Sequence, residues 1–221
     1  RREKLFFVFD KIKKSGGTLI IGGDFFDFWF DFKNHEPDFY KDVILRLINL
    51  QKSGIKIHYI AGNHDYWDFG FINSKIEKFH KQDFAFNFNN QEILLTHGDG
   101  LLKNDIGYRF MKKILRHKIF MAIFRKLPPK LGYKIGQRVS KTSEGYNHFN
   151  DYADQIRKEI LQYAKEQWSK GKDVILIGHY HQKEIIKQDS KFLIFLGDWL
   201  QHYTVTRFDG NQWSQFTWNE L

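Results

Sequence analysis

Thr18-Leu19-Ile20-Ile21-Gly22-Gly23-Asp24 decides the fold. Its first four residues read as a short buried strand, the glycine pair ends that strand, and a carboxylate stands just past its carboxyl end. The same arrangement recurs three times. Residues 55–61 precede Gly62-Asn63-His64-Asp65, residues 93–96 precede His97-Gly98-Asp99, and residues 174–177 precede Gly178-His179-Tyr180-His181. Between these runs lie helical patterns over 3–14, over 38–52 with Asp38 as N-cap after Pro37, and over 151–170 with Gly171 as a stop. Strands alternating with helices predict a layered α/β sheet, and in such sheets sites form beyond the carboxyl ends of the strands. After His181 the pattern changes to alternating runs over 184–187, 192–196, 203–208 and 213–217, with a turn at Asp209-Gly210. Antiparallel strands should therefore close the chain.

The chain is 221 residues long, enough for one domain over 1–221 with an insertion. It holds no run of about 18 uncharged apolar residues, which excludes an ordinary transmembrane helix. With Cys 0, disulfides, iron–sulfur ligation and thiol nucleophiles are excluded, and any metal must be held by Asp, Asn, Glu or His. The net charge of +9 first suggests a nucleic-acid protein, until it is located. Residues 106–143 contain no Asp or Glu but eleven Lys and Arg, leaving 24 basic against 26 acidic residues elsewhere. Apolar residues fill that segment at roughly helical spacing, among them Phe110, Ile114, Phe120 and Phe124. Such a composition suits an anionic membrane or lipid, and equally an ordinary helical pair with a solvated basic face.

Asp, Asn and three His at four equivalent strand ends suit Mn, Fe or Zn, and a two-metal site needs a carboxylate able to bridge. Asp24 is the natural bridge, Asn63 offers a neutral oxygen, and His97, His179 and His181 offer imidazole nitrogens. Tyr180 separates the last two, so on a turn their rings could face different ions. His35, His58, His80, His117, His148 and His202 lack such placement and read as structural.

In order and spacing, Gly23-Asp24-Phe25-Phe26-Asp27, Gly62-Asn63-His64-Asp65, His97-Gly98-Asp99 and Gly178-His179-Tyr180-His181 resemble the calcineurin-like metallophosphoesterases over most of the chain. The resemblance implies an αββα sandwich of two mixed sheets and a dinuclear centre of divalent metals, Mn first, with Fe or Zn as alternatives. It makes Asp24 the bridging ligand, Asn63, His97 and His179 the other ligands of one metal, and His181 a ligand of the second. His64 would stabilise or protonate the reacting phosphate, with Asp65 orienting its ring. Tyr180 stands where the family commonly has Thr, which is not a ligand position. The family's first strand ends in Asp-x-His, and nothing before Asp24 matches it. Since the helix over 3–14 resembles the one following that motif, the first strand is expected upstream of Arg1. One metal position would then keep Asp24, Asn63, His97 and His179, the other only Asp24 and His181, and occupancy would be unequal. The segment 28–35 would also be less firmly held.

Within the family, Asp27-Phe28-Trp29-Phe30, His97-Gly98-Asp99-Gly100 with Asp105 and Gly107-Tyr108-Arg109-Phe110, and Gly197-Asp198-Trp199 are most similar to the UDP-2,3-diacylglucosamine hydrolases of lipid A synthesis. This resemblance implies release of UMP and 2,3-diacylglucosamine 1-phosphate through attack of activated water on the α-phosphorus. Asn63, Asp105, Tyr108 and Arg109 would approach the substrate. The basic helical insertion over 101–147 would cap the acyl chains, with Phe110, Ile114, Phe120 and Phe124 lining the groove. The protein would then be cytoplasmic and peripheral on the inner face of the inner membrane. Gly197-Asp198-Trp199 reads more simply as a strand-end turn. Two rival functions follow from the same residues: another calcineurin-like phosphoesterase, such as a nuclease or nucleotide phosphatase, or a non-catalytic interaction module on this fold. Nucleic acid is disfavoured because the basic segment is at least as apolar as it is basic.

Overall fold

The computed structural model describes residues 1–33, 35–146 and 152–221, of which 141–146 are described by their backbone alone. Helix α1 (Arg2–Ser15) leads into β1 (Thr18–Ile21); a single 3-10 turn (Asp38–Tyr40) precedes α2 (Lys41–Lys52), and β2 (Lys56–Ile60) follows. Strand β3 (Lys78–His80) completes a sheet ordered β1-β2-β3, parallel throughout. The second sheet is mixed. It contains β4 (Phe84–Phe88), β5 (Gln91–Thr96), β6 (Val174–Ile177), β7 (Lys183–Gln188) and β8 (Lys191–Leu196) in the order β4-β5-β6-β8-β7. Three of these, β5, β6 and β8, run parallel at its centre, so their carboxyl ends emerge together.

Period-two alternation sorts the strand residues into layers. Ile20, Ile60, Ile93, Leu95, Val174, Leu176 and Ile194 fill the space between the sheets. The opposite faces carry Ile21, Ile57 and Tyr59 against α1 and α2, and Leu94, Ile175, Ile177, Leu193 and Phe195 against α6 (Ala153–Ser169). Ile60, Ile93, Leu95, Val174, Leu176 and Ile194 are each at most 3% exposed, and burying each such side chain contributes about 1.5–3 kcal/mol. This is the expected αββα sandwich. The expected closing strands are also present: β9 (Thr204–Phe208) and β10 (Trp213–Thr217) form a hairpin whose turn is held by Asp209 Oδ1, which accepts from the amides of Asn211 and Gln212 at 2.9 Å each.

Two elements were not legible in advance. Strands β3 and β4 carry Lys, His and Asn among their aromatics and lack a clean apolar run. Nor does Asp38 cap α2. The helix starts after the 3-10 turn, with no side-chain hydrogen bond from Tyr40 at its N-cap.

The basic segment folds as α3 (Ile106–Leu115), α4 (Lys118–Phe124) and α5 (Pro129–Tyr146). These helices rest on the loop after β1, and there the expectation of a loosely held segment is overturned. Phe28, Trp29, Phe30 and Phe32 are 6%, 1%, 1% and 1% exposed, and the loop backbone is bonded to its neighbour, with Trp29 N donating to His64 O at 2.8 Å and Asp31 N to Trp67 O at 2.9 Å. Trp29 enters the α1–α2 core, while Phe28, Phe30 and Phe32 join Trp67 beneath Leu115, Met121, Phe124 and Tyr133 of the three helices. Aromatic burial from both sides secures this loop.

Helix α5 approaches the loop on two glycines one turn apart. A Cβ on Gly132 would come within 2.1 Å of the Phe32 ring, and one on Gly136 within 2.2 Å of the Phe28 ring. Gly136→Ala sets about 1 kcal/mol of helix propensity against about 1–3 kcal/mol of overpacking. Overpacking should win, because Phe28 is wedged between Trp67 and Tyr133 at 5.8 and 5.7 Å. The thermal unfolding midpoint should therefore fall. A midpoint unchanged or raised would show that the ring moves aside freely.

Candidate metal centre

The carboxyl ends of β1, β2, β5 and β6 bring their four loops to one place. Asp24, His179 and His181 sit there with φ of 50°, 61° and 56°, in the left-handed region that ordinary residues seldom adopt. Three candidate ligands share this strain, a pattern typical of functional sites. Close approach is also enforced: a Cβ on Gly62 would fall 2.0 Å from Asp24 Oδ1, so only glycine fits beside the carboxylate.

His97 is the organising ring. Its Nδ1 donates to Gly22 O at 2.9 Å, which turns Nε2 toward Asp24 Oδ2 at 3.1 Å and Asn63 Oδ1 at 3.2 Å. Asp24, His97 and His179 each offer a ligand atom, all within 4.8 Å of one another. The residues fit a divalent cation. A buried imidazole nitrogen facing two oxygens must hold either a proton or a metal there, and the backbone carbonyl on its other nitrogen is the usual outer partner of a metal-binding His. Burial works to lower the His97 pKa, but the Asp24 carboxylate raises it to about 9. Asp24 is opposed by its own burial, yet the charge and hydrogen bond of His97, with His64, hold it well below the usual carboxylate range. Burial and then the positive His97 push His179 down to about 3, leaving a neutral ring ready to ligate. His181 is also lowered by burial, and it feels Asp198, Asp24, His97 and His64, which places it at the margin of the same centre.

The two residues assigned to catalysis part company. Asp65 is fully buried and accepts from Phe25 N at 2.7 Å, Gly62 N at 2.7 Å and the Tyr59 hydroxyl. It clips the loops after β1 and β2 together and does not orient the His64 ring. Burial and the Asp24 charge raise its pKa to about 6 against the Tyr59 and Gly62 hydrogen bonds. His64 has its main chain fixed by its amide donating to Asp24 Oδ1 at 2.8 Å, while its Nδ1 lies 2.9 Å from Asp27 O and 2.8 Å from Ser140 Oγ.

Around the centre, Asp99 was missed as a site residue although His97-Gly98-Asp99 contains it. It is 8% exposed, and one face of α3 converges on it: Tyr108 hydroxyl at 2.7 Å, Lys112 Nζ at 2.8 Å and Arg116, just past the helix, at 3.2 Å. Burial raises the Asp99 pKa, and His97, Arg116 and Lys112 outweigh it to give a net lowering. Tyr108 thus reaches the centre, its ring 6.2 Å from that of His179. Arg109 does not offer its charge to the centre. Its guanidinium donates to the carbonyls of Gly100, Leu102 and Lys103, so it closes the loop before α3. Asp105 stands at the start of α3, its pKa raised chiefly by burial. Phe124 packs on Phe30 at 4.8 Å with Phe120 stacked behind it at 5.9 Å, whereas Phe110 and Ile114 are 68% and 46% exposed.

The histidines read as structural have structural surroundings where described. His58 and His80 pair at 3.1 Å beside Phe84, His117 caps α4, and His35 lies against Tyr133. His148 lies outside the described residues. Asp198 forms the expected turn, accepting from Leu200, Gln201 and His202 amides, and its charge acts on His181.

A sandwich with this ligand set at its strand ends defines a metal-dependent phosphoesterase, and the calcineurin-like phosphoesterase family profile matches residues 1–183. The chain belongs to that family and is a hydrolase that depends on divalent metal ions. Among curated proteins it is similar to the UDP-2,3-diacylglucosamine hydrolase of Porphyromonas gingivalis, at 23% identity over 91% of this chain and 83% of that protein. It resembles those of Pseudomonas syringae pv. tomato and Pseudomonas fluorescens at 28% and 29% identity, over 89% and 82% of this chain and 80% and 74% of theirs.

Metal loading should release a proton. Held up to about 9, His97 is protonated in the metal-free chain near neutrality, and only the neutral ring ligates. Calorimetry in buffers of different ionisation enthalpy should find about one proton released per first metal at about pH 7.5, fading as pH rises past 9. Loading with no proton release would mean that His97 is already neutral in the metal-free chain or is not a ligand.

Proposed function

We propose that this chain hydrolyses the pyrophosphate of UDP-2,3-diacylglucosamine, releasing UMP and 2,3-diacylglucosamine 1-phosphate. One observation carries the reading: the helices over the metal centre turn an apolar face outward. Ile106, Phe110 and Ile114 of α3, Ile119 and Ile123 of α4, and Leu131, Ile135 and Val139 of α5 are all between 37% and 70% exposed. On α3 and α5 these residues recur every fourth position, one stripe per helix, beside the faces fixed to the loops below. A patch of this kind marks an interaction surface for apolar material. A soluble nucleotide or a nucleic-acid backbone gives no reason for it, and the names of the relatives agree with an acylated substrate.

In this reading the whole chain is one catalytic domain and 101–147 is its cap. Asp24, Asn63, His97 and His179 would hold one divalent ion, and Asp24 with His181 would contribute to a second, Mn being the first candidate. Bound ions of this kind supply the Lewis acidity that activates water and neutralises phosphoryl oxygens. Asn63 would also face substrate, His64 would donate to the reacting phosphate, and the Asp65 clip would keep the Asp24 and Asn63 loops in register. Lys81, Lys112 and Arg116, with Asp83 and Asp99, line a cleft of about 380 Å³ that His97 also borders, where anionic substrate groups would be held. The basic, apolar cap face would meet the anionic cytoplasmic leaflet, each nearby Lys or Arg contributing about 1 kcal/mol. No helix among the described residues is long and apolar enough to cross a membrane, so association would be peripheral.

The test is UMP release from UDP-2,3-diacylglucosamine in Mn. Asp24→Ala should abolish it, since both ion positions lose a ligand. The double variant Phe110→Asp/Ile114→Asp changes only exposed positions. It should lower turnover of the diacylated substrate by at least about tenfold while sparing a small soluble phosphodiester. Equal rates on both substrates with the variant and with the native chain would refute the acyl-binding role.

A further inference from the structure

We propose that Ser140 is a positioning residue for His64, through which α5 sets the orientation and tautomer of the ring beside the metal centre. The proposal rests on the role given to His64 above, and not on the identity of the lipid. Ser140 is 5% exposed and belongs to a helix of the cap, far along the sequence from the strand-end loops that carry the other site residues. Its hydroxyl donates to Asp27 O at 2.8 Å and lies 2.8 Å from His64 Nδ1, which is itself 2.9 Å from Asp27 O. Three polar atoms thus lie within hydrogen-bond distance of one another.

The protons among these three atoms have one consistent arrangement. The Asp27 carbonyl can only accept, and the serine has a single proton. If the serine proton went to His64 Nδ1, the ring lone pair and the Asp27 carbonyl would need to face each other unprotonated at 2.9 Å. With the serine proton on Asp27 O, the Nδ1–H of His64 is shared between Asp27 O and Ser140 Oγ, and every group is satisfied. Nδ1 therefore carries its proton in either charge state of the ring, and Nε2 is the nitrogen left for the reacting phosphate, to which it donates when it too is protonated. Asp27 alone would hold one contact with the ring; Ser140 adds the second, which restrains ring rotation.

The placement of Ser140 is fixed by the rest of its helix. Gly132, Gly136 and Ser140 follow at four-residue spacing on one face of α5, meeting Phe32, Phe28 and then Asp27 with His64. Tyr133 adds a hydroxyl donated to Phe30 O at 3.0 Å. The Phe32 and Phe28 rings occupy the space a Cβ of either glycine would take, so the helix backbone is seated directly on the loop and Ser140 is held beside Asp27 and His64.

The experiment compares the full chain with Ser140→Ala, Ser140→Thr, His64→Ala and the double variant Ser140→Ala/His64→Ala on a soluble phosphodiester in Mn. Nitrogen-15 NMR of the metal-free chain reads the His64 tautomer, its signals being those lost in His64→Ala. Ser140→Ala should lower kcat by about 10- to 100-fold with KM little changed and, because the less restrained ring turns away from the Asp27 carbonyl that holds Nδ1–H, should replace a single Nδ1–H tautomer of the neutral ring with a mixture. Ser140→Thr, which keeps the hydroxyl, should restore the tautomer. The double variant should lose no more than His64→Ala alone, the signature of residues acting through one another. An unchanged tautomer in Ser140→Ala, or additive losses in the double variant, would overturn the proposal. Normal kcat in His64→Ala would instead overturn the role of His64, a failure that the NMR arm keeps separate from that of Ser140.

Discussion

The meeting of Asp24 and His97 is the constraint on which the rest of the site depends. Their atoms belong to different sheets of the sandwich, yet Oδ2 and Nε2 lie 3.1 Å apart with the imidazole almost wholly buried. Removing one member of such a pair leaves an uncompensated buried charge, commonly costing about 3–5 kcal/mol. The neighbouring structure answers to that demand. Gly22 O fixes the far side of the imidazole, glycine at position 62 leaves room for the carboxylate, and Asp65 ties together the two loops that supply Asp24 and Asn63. A divalent cation placed among Asp24, Asn63, His97 and His179 would take over the work that a proton performs in the metal-free chain.

Two acids thus sit close together with opposite duties. Asp24 is kept ionised by His97, while Asp65, burdened by burial and by the charge of Asp24, is raised to about 6 and leans on Tyr59 and two amides. Environment separates them into a candidate ion ligand and a structural clip. The family resemblance implied instead that Asp65 orients the His64 ring.

Helices α3 to α5 are attached by polar and steric devices at their inner faces, which leaves their outer faces free to be apolar. Asp99 gathers Tyr108, Lys112 and Arg116 from one side of α3, and small residues seat one side of α5 against the aromatic loop.

By itself the sequence determined the layered α/β class, the four strand ends that carry the candidate ligands and the confinement of the excess charge to one helical segment. These are local properties: strand runs, their glycine stops and the polar residue that follows can be read within ten residues of one another. Only the tertiary structure decided which partners those residues take. The Asp65 clip, the Arg109 loop closure, the Asp99 cluster and the Ser140 contact each join residues whose pairing depends on how loops and helices from separate parts of the fold are packed. Strands β3 and β4 escaped the reading for the same reason. Their polar and aromatic residues become strand only because a neighbouring strand's backbone is already present to pair with them, and burial between sheet and cap is a property of the assembled layers that no local pattern contains.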